Sequence, residues 1–170
     1  LEIQNVQDLE GLPKSLVDAA KASAVARNKP GSWVIDNTRS SIDPFLTYSN
    51  NRSLKEKAWR MFINRGDNGD ARDNNAIITP ILQLRAERAK LLGYPTHAHW
   101  RLANTMAKTP EKAMELMESV WTPAVQLVKT EVADMQEIAN KENAGIKIEA
   151  WDYRYYAEKV RKAKYDLDQN

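Results

Sequence analysis

The sequence predicts a mainly α-helical protein with at most a minor β strand near Trp33. Apolar residues recur at offsets of three and four along most of the chain, which is the period of an amphipathic helix. Capping residues followed by proline or an acidic residue precede several of these segments. Only residues 32–35, Ser-Trp-Val-Ile, have the composition of a strand.

The first helix is predicted to start at Pro13, which suits a first turn, and to continue to about Arg27. Residues 28–31, Asn-Lys-Pro-Gly, then end it, because proline and glycine together favour a turn. Asp43 and Pro44 predict the N-cap and the first residue of a second helix.

A capping box at Ser53 and Glu56 predicts the start of a third helix, which ends near Arg65. Residues 66–75 are polar and rich in Asp, Asn and Gly, so they predict a loop and are the best candidate for a mobile segment. Their aspartates resemble a calcium loop. However, Ile78 stands where an EF-hand loop requires its glutamate, so a solvated loop is favoured.

The next helix is predicted from near Ile77 to about Leu92, with Pro80 in its first turn and Gly93 at its C-terminal stop. Thr96 predicts the cap of a short helix that follows. Along the longer helix, residues recur at offsets of three or four at Ile77, Ile81, Leu84, Arg88 and Leu91.

Residues 109–111, Thr-Pro-Glu, are the strongest helix start in the chain, since they supply a cap, a first-turn proline and an acid at the positive end of the dipole. This helix is expected to continue to about Gly145, with a kink at Pro123. Asp152 predicts the cap of the last helix. The predicted inner face of the long helix consists of Met114, Met117, Trp121, Ala124, Val128, Met135 and Ile138.

Composition and charge exclude several classes of protein. The chain is 42% hydrophobic and 28% charged, which is typical of a soluble globular fold. Its 25 basic and 23 acidic residues are interspersed, whereas nucleic-acid binding needs a concentrated basic face. No apolar run approaches the roughly 18 residues of a membrane span. The absence of cysteine excludes disulfides and thiolate metal sites, and leaves cytoplasm and periplasm equally open.

The candidate chemical groups favour structural roles. His97 and His99 stand at a predicted helix start, where residues two apart do not share a face, so a zinc pair is disfavoured. Aromatic residues at 151–156 stand among several cations, a composition that nucleic-acid binding would use, but Trp151 and Tyr155 are expected to pack inward while the cations extend to solvent. No nucleophilic serine turn or phosphate-binding glycine loop occurs.

Three stretches resemble one known family. Residues 84–94 (LRAERAKLLGY), 106–110 (MAKTP) and 151–156 (WDYRYY) followed by 165–168 (YDLD) occur in the order found in the zinc-dependent peptidases of family M3. Within that family, features of residues 33–38 and 156–161 resemble the peptidyl-dipeptidase branch more than the thimet oligopeptidase branch. The resemblance is densest from about Ala76 onward.

The resemblance implies a large, mostly helical, two-lobed parent with a deep channel that admits short peptides. The family's zinc motif is a His-Glu-x-x-His helix with a further glutamate ligand, and it lies C-terminal to the segment seen here. Residues 1–170 are therefore expected to form a single helical scaffold segment ahead of the catalytic region, with no catalytic residue and no metal ligand. Zinc, short peptide substrates and the remaining catalytic portion belong to the parent.

Two interpretations remain open for the role of the chain. In the first, the extended residues around Trp33 line the peptide channel, and Asn37 and Thr38 contact substrate, because extended backbone pairs with extended peptides. An ordinary strand packed into the core explains the same residues equally well. In the second interpretation, the chain is a stand-alone helical protein-interaction module that uses its Met and Trp stripes to bind partner helices.

Overall fold

The computed structural model describes residues 1–165, and within them the prediction of a mainly α-helical fold is confirmed. Residues 166–168 of the predicted C-terminal motif lie outside the described residues. The elements, in chain order, are β1 (Glu2–Ile3), a 3₁₀ helix (Val6–Leu9), α1 (Lys14–Ala26), β2 (Trp33–Val34), α2 (Arg39–Tyr48), α3 (Arg52–Ile63), α4 (Asn75–Leu91), α5 (His97–Leu102), α6 (Pro110–Lys141) and α7 (Tyr153–Tyr165).

The predicted minor strand near Trp33 is present as β2. It pairs antiparallel with β1, in a register that places Ile3 opposite Trp33 and Glu2 opposite Val34. The backbone N–H of Ile35 extends the pairing by donating to the carbonyl of Leu1 at 2.8 Å. The two strands form the whole sheet in the described part of the chain.

The chain divides into two compact units, and the division falls at the start of the predicted loop. Residues 1–65 together with the chain from Thr130 onward form the first unit, and residues 66–129 form the second. Helix α6 therefore contributes residues to both. Mobility of residues 66–75 stays a prediction.

The first unit contains two apolar clusters. In one, α1, α2 and α3 pack with the small sheet around side chains that are almost completely buried: Ile3, Ile35, Ile42, Phe45 and Ala58. In the other, the end of α6 packs on α7 through Met135, Ala139, Ile148 and Tyr156. Helix α2 packs against α7, so this unit joins sequence-distant elements.

The predicted N-cap at Asp43 is wrong, because α2 begins at Arg39 and contains Pro44 in its interior. Ile42, in the first turn of α2, is buried together with Phe45 and Leu46, so the helix packs into the core from its first turn onward. The carboxylate of Asp43 instead lies 3.1 Å from the guanidinium of Arg154.

The predicted capping box at Ser53 is also wrong by two residues. Helix α3 begins at Arg52, and Asn51 is its N-cap, with the side-chain oxygen accepting from the N–H of Leu54 at 3.1 Å. The amide nitrogen of Asn51 donates to Asp8 at 2.8 Å, a tertiary contact that favours Asn51 as the cap. Ser53 merely donates to Asn51 at 2.9 Å.

Three helix ends predicted from sequence in the second unit are confirmed: two N-caps and one C-terminal glycine. The hydroxyl of Thr96 accepts from the first turn of α5, and the hydroxyl of Thr109 accepts from the N–H of Lys112, each at 3.3 Å. Gly93 adopts a φ of 79° beyond the end of α4, where Tyr94 N–H donates to the carbonyl of Ala89 at 2.9 Å. This is a Schellman ending, whose positive φ favours glycine. Helix α4 starts two residues before the predicted Ile77.

The predicted inner face of the first part of α6 is not buried in this chain, and the periodic apolar residues of α4 are also exposed. Met117 is 54% exposed and Trp121 is 70% exposed, whereas Met135, on the same predicted face, is 3% exposed. The physical reason is a lack of packing partners: no residue of α6 before Val132 belongs to either apolar cluster of the described chain.

We expect Asn51→Ala to lower the free energy of unfolding by about 1 kcal/mol, because removing an N-cap side chain leaves an orphan N–H at the start of α3. Ser53→Ala is the matched control, since its hydroxyl only supports Asn51. Urea unfolding followed by circular dichroism measures both variants. An equal loss in the two, or a larger loss for Ser53→Ala, would contradict the assignment of Asn51 as the cap.

Candidate functional site

The densest arrangement of charged and aromatic groups lies where α3 begins and α7 begins. We name it the Asp152 cluster; its members are Arg52, Lys55, Trp151, Asp152 and Tyr155. Arg52 binds Asp152 with two nitrogens, Nε at 3.0 Å from Oδ1 and Nη2 at 2.8 Å from Oδ2. Asp152 is completely buried. Its carboxylate also accepts from the N–H of Glu149 at 3.1 Å.

The predicted position of Asp152, immediately before the last helix, is correct, but its side chain does not cap that helix. The carboxylate is directed to Arg52 and to the backbone of Glu149. A bidentate guanidinium–carboxylate pair fixes the orientation of both partners, so it holds the start of α3 against the start of α7.

Lys55 is a buried cation within this cluster. It lies one turn into α3, is 2% exposed, and places its ammonium 3.6 Å from the ring centroid of Tyr155. Burial lowers the pKa of Lys55 to about 8; Asp152 opposes that shift, while Lys159 and Arg52 add to it. The π face of Tyr155 offsets part of the cost of burying the charge.

Trp151 lies between two guanidinium groups. Arg52 and Arg60 lie 5.6 and 5.3 Å from its ring centroid, and Trp59 meets it edge-on at 5.8 Å. Its indole nitrogen is buried without a hydrogen-bond partner. These contacts, with the buried ring of Tyr156, agree with the prediction that the aromatic residues pack inward.

Sequence reasoning missed Lys55 as a buried group. The available signal was its spacing: Lys55 stands three residues before Ala58, which is completely buried, so both lie on the inner face of α3. The groups of the cluster neutralise and orient one another. The bidentate Arg52–Asp152 pair joins the start of α3 to the start of α7, so the arrangement acts as a structural clamp.

The two histidines lie in the first turn of α5 and have separate partners. His99 Nδ1 is 2.8 Å from the Thr96 hydroxyl, and its Nε2 is 3.6 Å from Glu111. The ring of His97 packs against Trp100 at 5.5 Å. Burial lowers the pKa of His97, and the charges of nearby arginines on α4 and α5 add to the effect. Among residues 1–165, no group of three or more potential ligands is placed to hold a metal ion.

The aspartates of residues 66–75 are occupied by the loop itself. Asp73 accepts from the N–H groups of Gly69 and Asn75 at 2.7 and 2.8 Å, which lowers the pKa of Asp73. Asp67 accepts from the side chain of Asn75 at 2.7 Å. These carboxylate oxygens therefore accept from groups within the loop itself, in line with the interpretation of a solvated loop.

Asn37 and Thr38 follow β2 and precede α2. The amide nitrogen of Asn37 donates to the carbonyl of Met61 at 3.1 Å, while its amide oxygen is buried without a partner. The indole nitrogen of Trp33 is also buried without a partner. Thr38 takes the N-cap position of α2, but its hydroxyl contacts Ser40 at 3.1 Å. Their contact with substrate stays a prediction.

Comparison with known proteins gives a consistent result. The sequence model of peptidase family M3 matches residues 45–170, about three quarters of the chain. The chain is 34% identical over 169 residues to a dipeptidyl carboxypeptidase of Salmonella typhimurium, and 32% identical over 169 residues to that of Escherichia coli; each alignment covers 99% of this chain and 25% of the relative.

A third relative is a probable cytosolic oligopeptidase A of Arabidopsis thaliana, 35% identical over 179 residues, with 98% of this chain and 25% of that protein aligned. The chain thus spans about a quarter of the length of the curated relatives it matches. No helix within residues 1–165 is both long enough and apolar enough to cross a membrane.

We expect the buried charge of Lys55 to make stability depend on pH. Its folded pKa of about 8 is below the unfolded value of 10.5, so charged Lys55 costs roughly 3 kcal/mol below pH 8, and this cost disappears as the pH rises to 10.5. Lys55→Met removes the charge. The variant is expected to be more stable than wild type by about 1–2 kcal/mol at pH 7, after loss of the cation–π contact, and to lose that advantage by pH 10.5.

Urea unfolding of both proteins at a series of pH values from 7 to 10.5 measures this difference. Lys57→Met, on the exposed side of the same helix, is the matched control for replacing a lysine of α3 by methionine. Parallel stability curves for wild type and Lys55→Met would show that Lys55 does not titrate in this window.

Proposed function

The chain belongs to peptidase family M3, and from this membership we propose that it is a scaffold segment of a zinc-dependent peptidyl-dipeptidase or oligopeptidase that hydrolyses short peptides. The observation that carries the proposal is the family match over residues 45–170, which contains all three resembling stretches. The names of the relatives support peptide hydrolysis, and those of the two bacterial proteins support the peptidyl-dipeptidase branch.

Within that enzyme, we assign the zinc site to a part of the parent outside these residues. A catalytic zinc ion requires three protein ligands that converge on one point and an open position for water. The only histidines of the chain, His97 and His99, are two residues apart, so the spacing of a His-Glu-x-x-His helix does not occur in it. The chain alone is therefore proposed to be inactive.

The segment from Trp33 to Thr38 is proposed to contact the substrate peptide. Strand β2 has β1 as its one strand partner in the described chain, so no second strand of these residues pairs with its other edge. The extended backbone of this segment supports this role, because extended backbone pairs with an extended peptide. The amide oxygen of Asn37 is buried, so its lack of a partner among the described residues adds no support.

A stand-alone interaction module is the second candidate function. The observation that favours it is the exposed apolar surface of the second unit, which such a module would use to bind a partner helix. Membership of a peptidase family favours the first candidate. The chain spans a quarter of the length of its relatives, so the rest of a longer protein would also account for the exposed apolar surface.

The proposed function is tested by comparing the 170-residue chain with the full-length protein whose reading frame contains it. We expect the full-length protein to release the C-terminal dipeptide from an N-blocked tripeptide, to lose this activity with a chelator, and to regain it with zinc. The chain alone is expected to retain no zinc after dialysis and to release no dipeptide.

His97→Ala with His99→Ala in the full-length protein is the matched control and is expected to leave its zinc content unchanged. Stoichiometric zinc in the chain alone, together with metal-dependent release of a dipeptide, would contradict the proposal that the chain lacks the site. Absence of any peptidase activity in the metal-loaded full-length protein would contradict the proposed function itself.

We expect Asn37→Ala and Thr38→Ala, made separately in the full-length enzyme, each to raise the KM for peptide about fivefold, the effect of losing one hydrogen bond of about 1 kcal/mol. Ser40→Ala is the control, because Ser40 is exposed and contacts only Thr38 in this segment. Thr38→Ala removes no bond to the core, so it separates a substrate effect from a folding effect. KM and turnover at wild-type values in both variants would rule out the contact.

A further inference from the structure

Helix α6 has one apolar stripe whose two halves have different surroundings. The spacing of three and four that starts at Met114 continues without interruption to Ala139. In the second half, α7 and Ile148 cover the stripe, and Ala139 is 1% exposed. In the first half, the large side chains are between 44% and 70% exposed, and its members are Met114, Met117, Trp121, Ala124 and Val128.

The exposed half is too apolar to be an ordinary solvated helix face. Adjacent positions Leu116, Val120 and Leu127 are also at least 60% exposed, so the apolar surface is broad and contiguous along the helix. Monomeric proteins seldom expose a contiguous apolar patch of this kind unless it binds another surface. The covered half of the same helix shows what that surface would be, namely another apolar helix face.

Helix α4 supplies an independent observation in the same unit. Leu82 and Leu84 are both more than half exposed, at 57% and 64%, yet they are about 200° apart around the helix. Leu91 is 87% exposed. A helix that is apolar around most of its circumference is typical of the interior of a larger protein. One partner docked from a single direction cannot cover it.

The charges beside the stripe disfavour other occupants. Residues 111–129 contain three glutamates and two lysines, so the flanks of the stripe are slightly acidic. A helix that lies on a lipid surface typically has a cationic polar face, and nucleic acid requires a basic patch. Neither is present, so an uncharged protein surface fits best.

We propose that the apolar face of α6 formed by Met114, Met117, Trp121, Ala124 and Val128 is the docking surface for a helical segment of the same polypeptide, from the part of the longer protein outside these 170 residues. This rests on the proposed function in one respect, that the chain is part of a longer peptidase. The relatives are about four times as long as the aligned region, so such a protein contains ample chain to cover this face. A second copy would cover α6 but would leave the opposite sides of α4 exposed.

The chain contains no cysteine, so a single introduced thiol reports on one position at a time. Met117→Cys and Val128→Cys place the thiol on the docking surface, and Gln126→Cys places it on the polar side of α6. The rate of maleimide labelling is measured by peptide mass spectrometry for each variant, in the 170-residue chain and in the full-length protein, at several protein concentrations.

In the chain alone, we expect Met117→Cys and Val128→Cys to label as fast as Gln126→Cys at every concentration. In the full-length protein, we expect both to label at least tenfold more slowly than Gln126→Cys. Equal rates for all three positions in the full-length protein would overturn the proposal. Protection in the chain alone that increases with its concentration would overturn it in favour of a second copy as the occupant.

Labelling is independent of catalysis, so the two proposals fail separately. Protection of the docking surface in a full-length protein without peptidase activity would leave the docking inference standing and would remove the proposed function. Zinc-dependent activity of a full-length protein whose docking surface is unprotected would support the proposed function and overturn the docking inference.

Discussion

The first unit depends on one interaction, the bidentate pair between Arg52 and Asp152. These residues are 100 positions apart in sequence, and the pair joins the start of α3 to the start of α7. Asp152 has no access to solvent, so its charge is tolerable only with Arg52 and the Glu149 N–H in place. Lys55 and Trp151 gain their positions from the same junction, because Lys55 stacks on Tyr155 of α7 and Trp151 lies beside Arg52.

The features predicted correctly from sequence are those that local chemistry decides. Thr96 and Thr109 cap helices because the residues they bond are three positions away, and Gly93 ends α4 because the required φ is positive. The failures are tertiary. Asn51 displaces Ser53 as a cap and has a contact with Asp8, and α2 starts ahead of Pro44, with Ile42 of its first turn buried in the core. Neither the contact with Asp8 nor the burial of Ile42 can be predicted from the neighbouring sequence.

The same division applies to the candidate site. Sequence placed Asn37 and Thr38 correctly beside the only sheet of the described chain, but it could not show that the amide oxygen of Asn37 lacks a partner. The spacing of Lys55 from Ala58 places both residues on the inner face of α3. A charged lysine is ordinarily assigned to the surface, however, so its burial was missed. The exposed face of α6 is the opposite case: periodicity identified an apolar stripe, while the first half of that stripe is exposed in the described residues.

The discontinuity of the first unit has a consequence for synthesis. Residues 1–65 leave the ribosome well before the segment from Thr130 onward, and the 64 residues of the second unit separate them. At typical translation rates of about 5–20 residues per second, Arg52 waits roughly 5–20 s for Asp152. During that interval Lys55 and the apolar surface of α2 that packs on α7 face solvent. Apolar surface exposed during folding favours aggregation, so this interval is the vulnerable stage of synthesis.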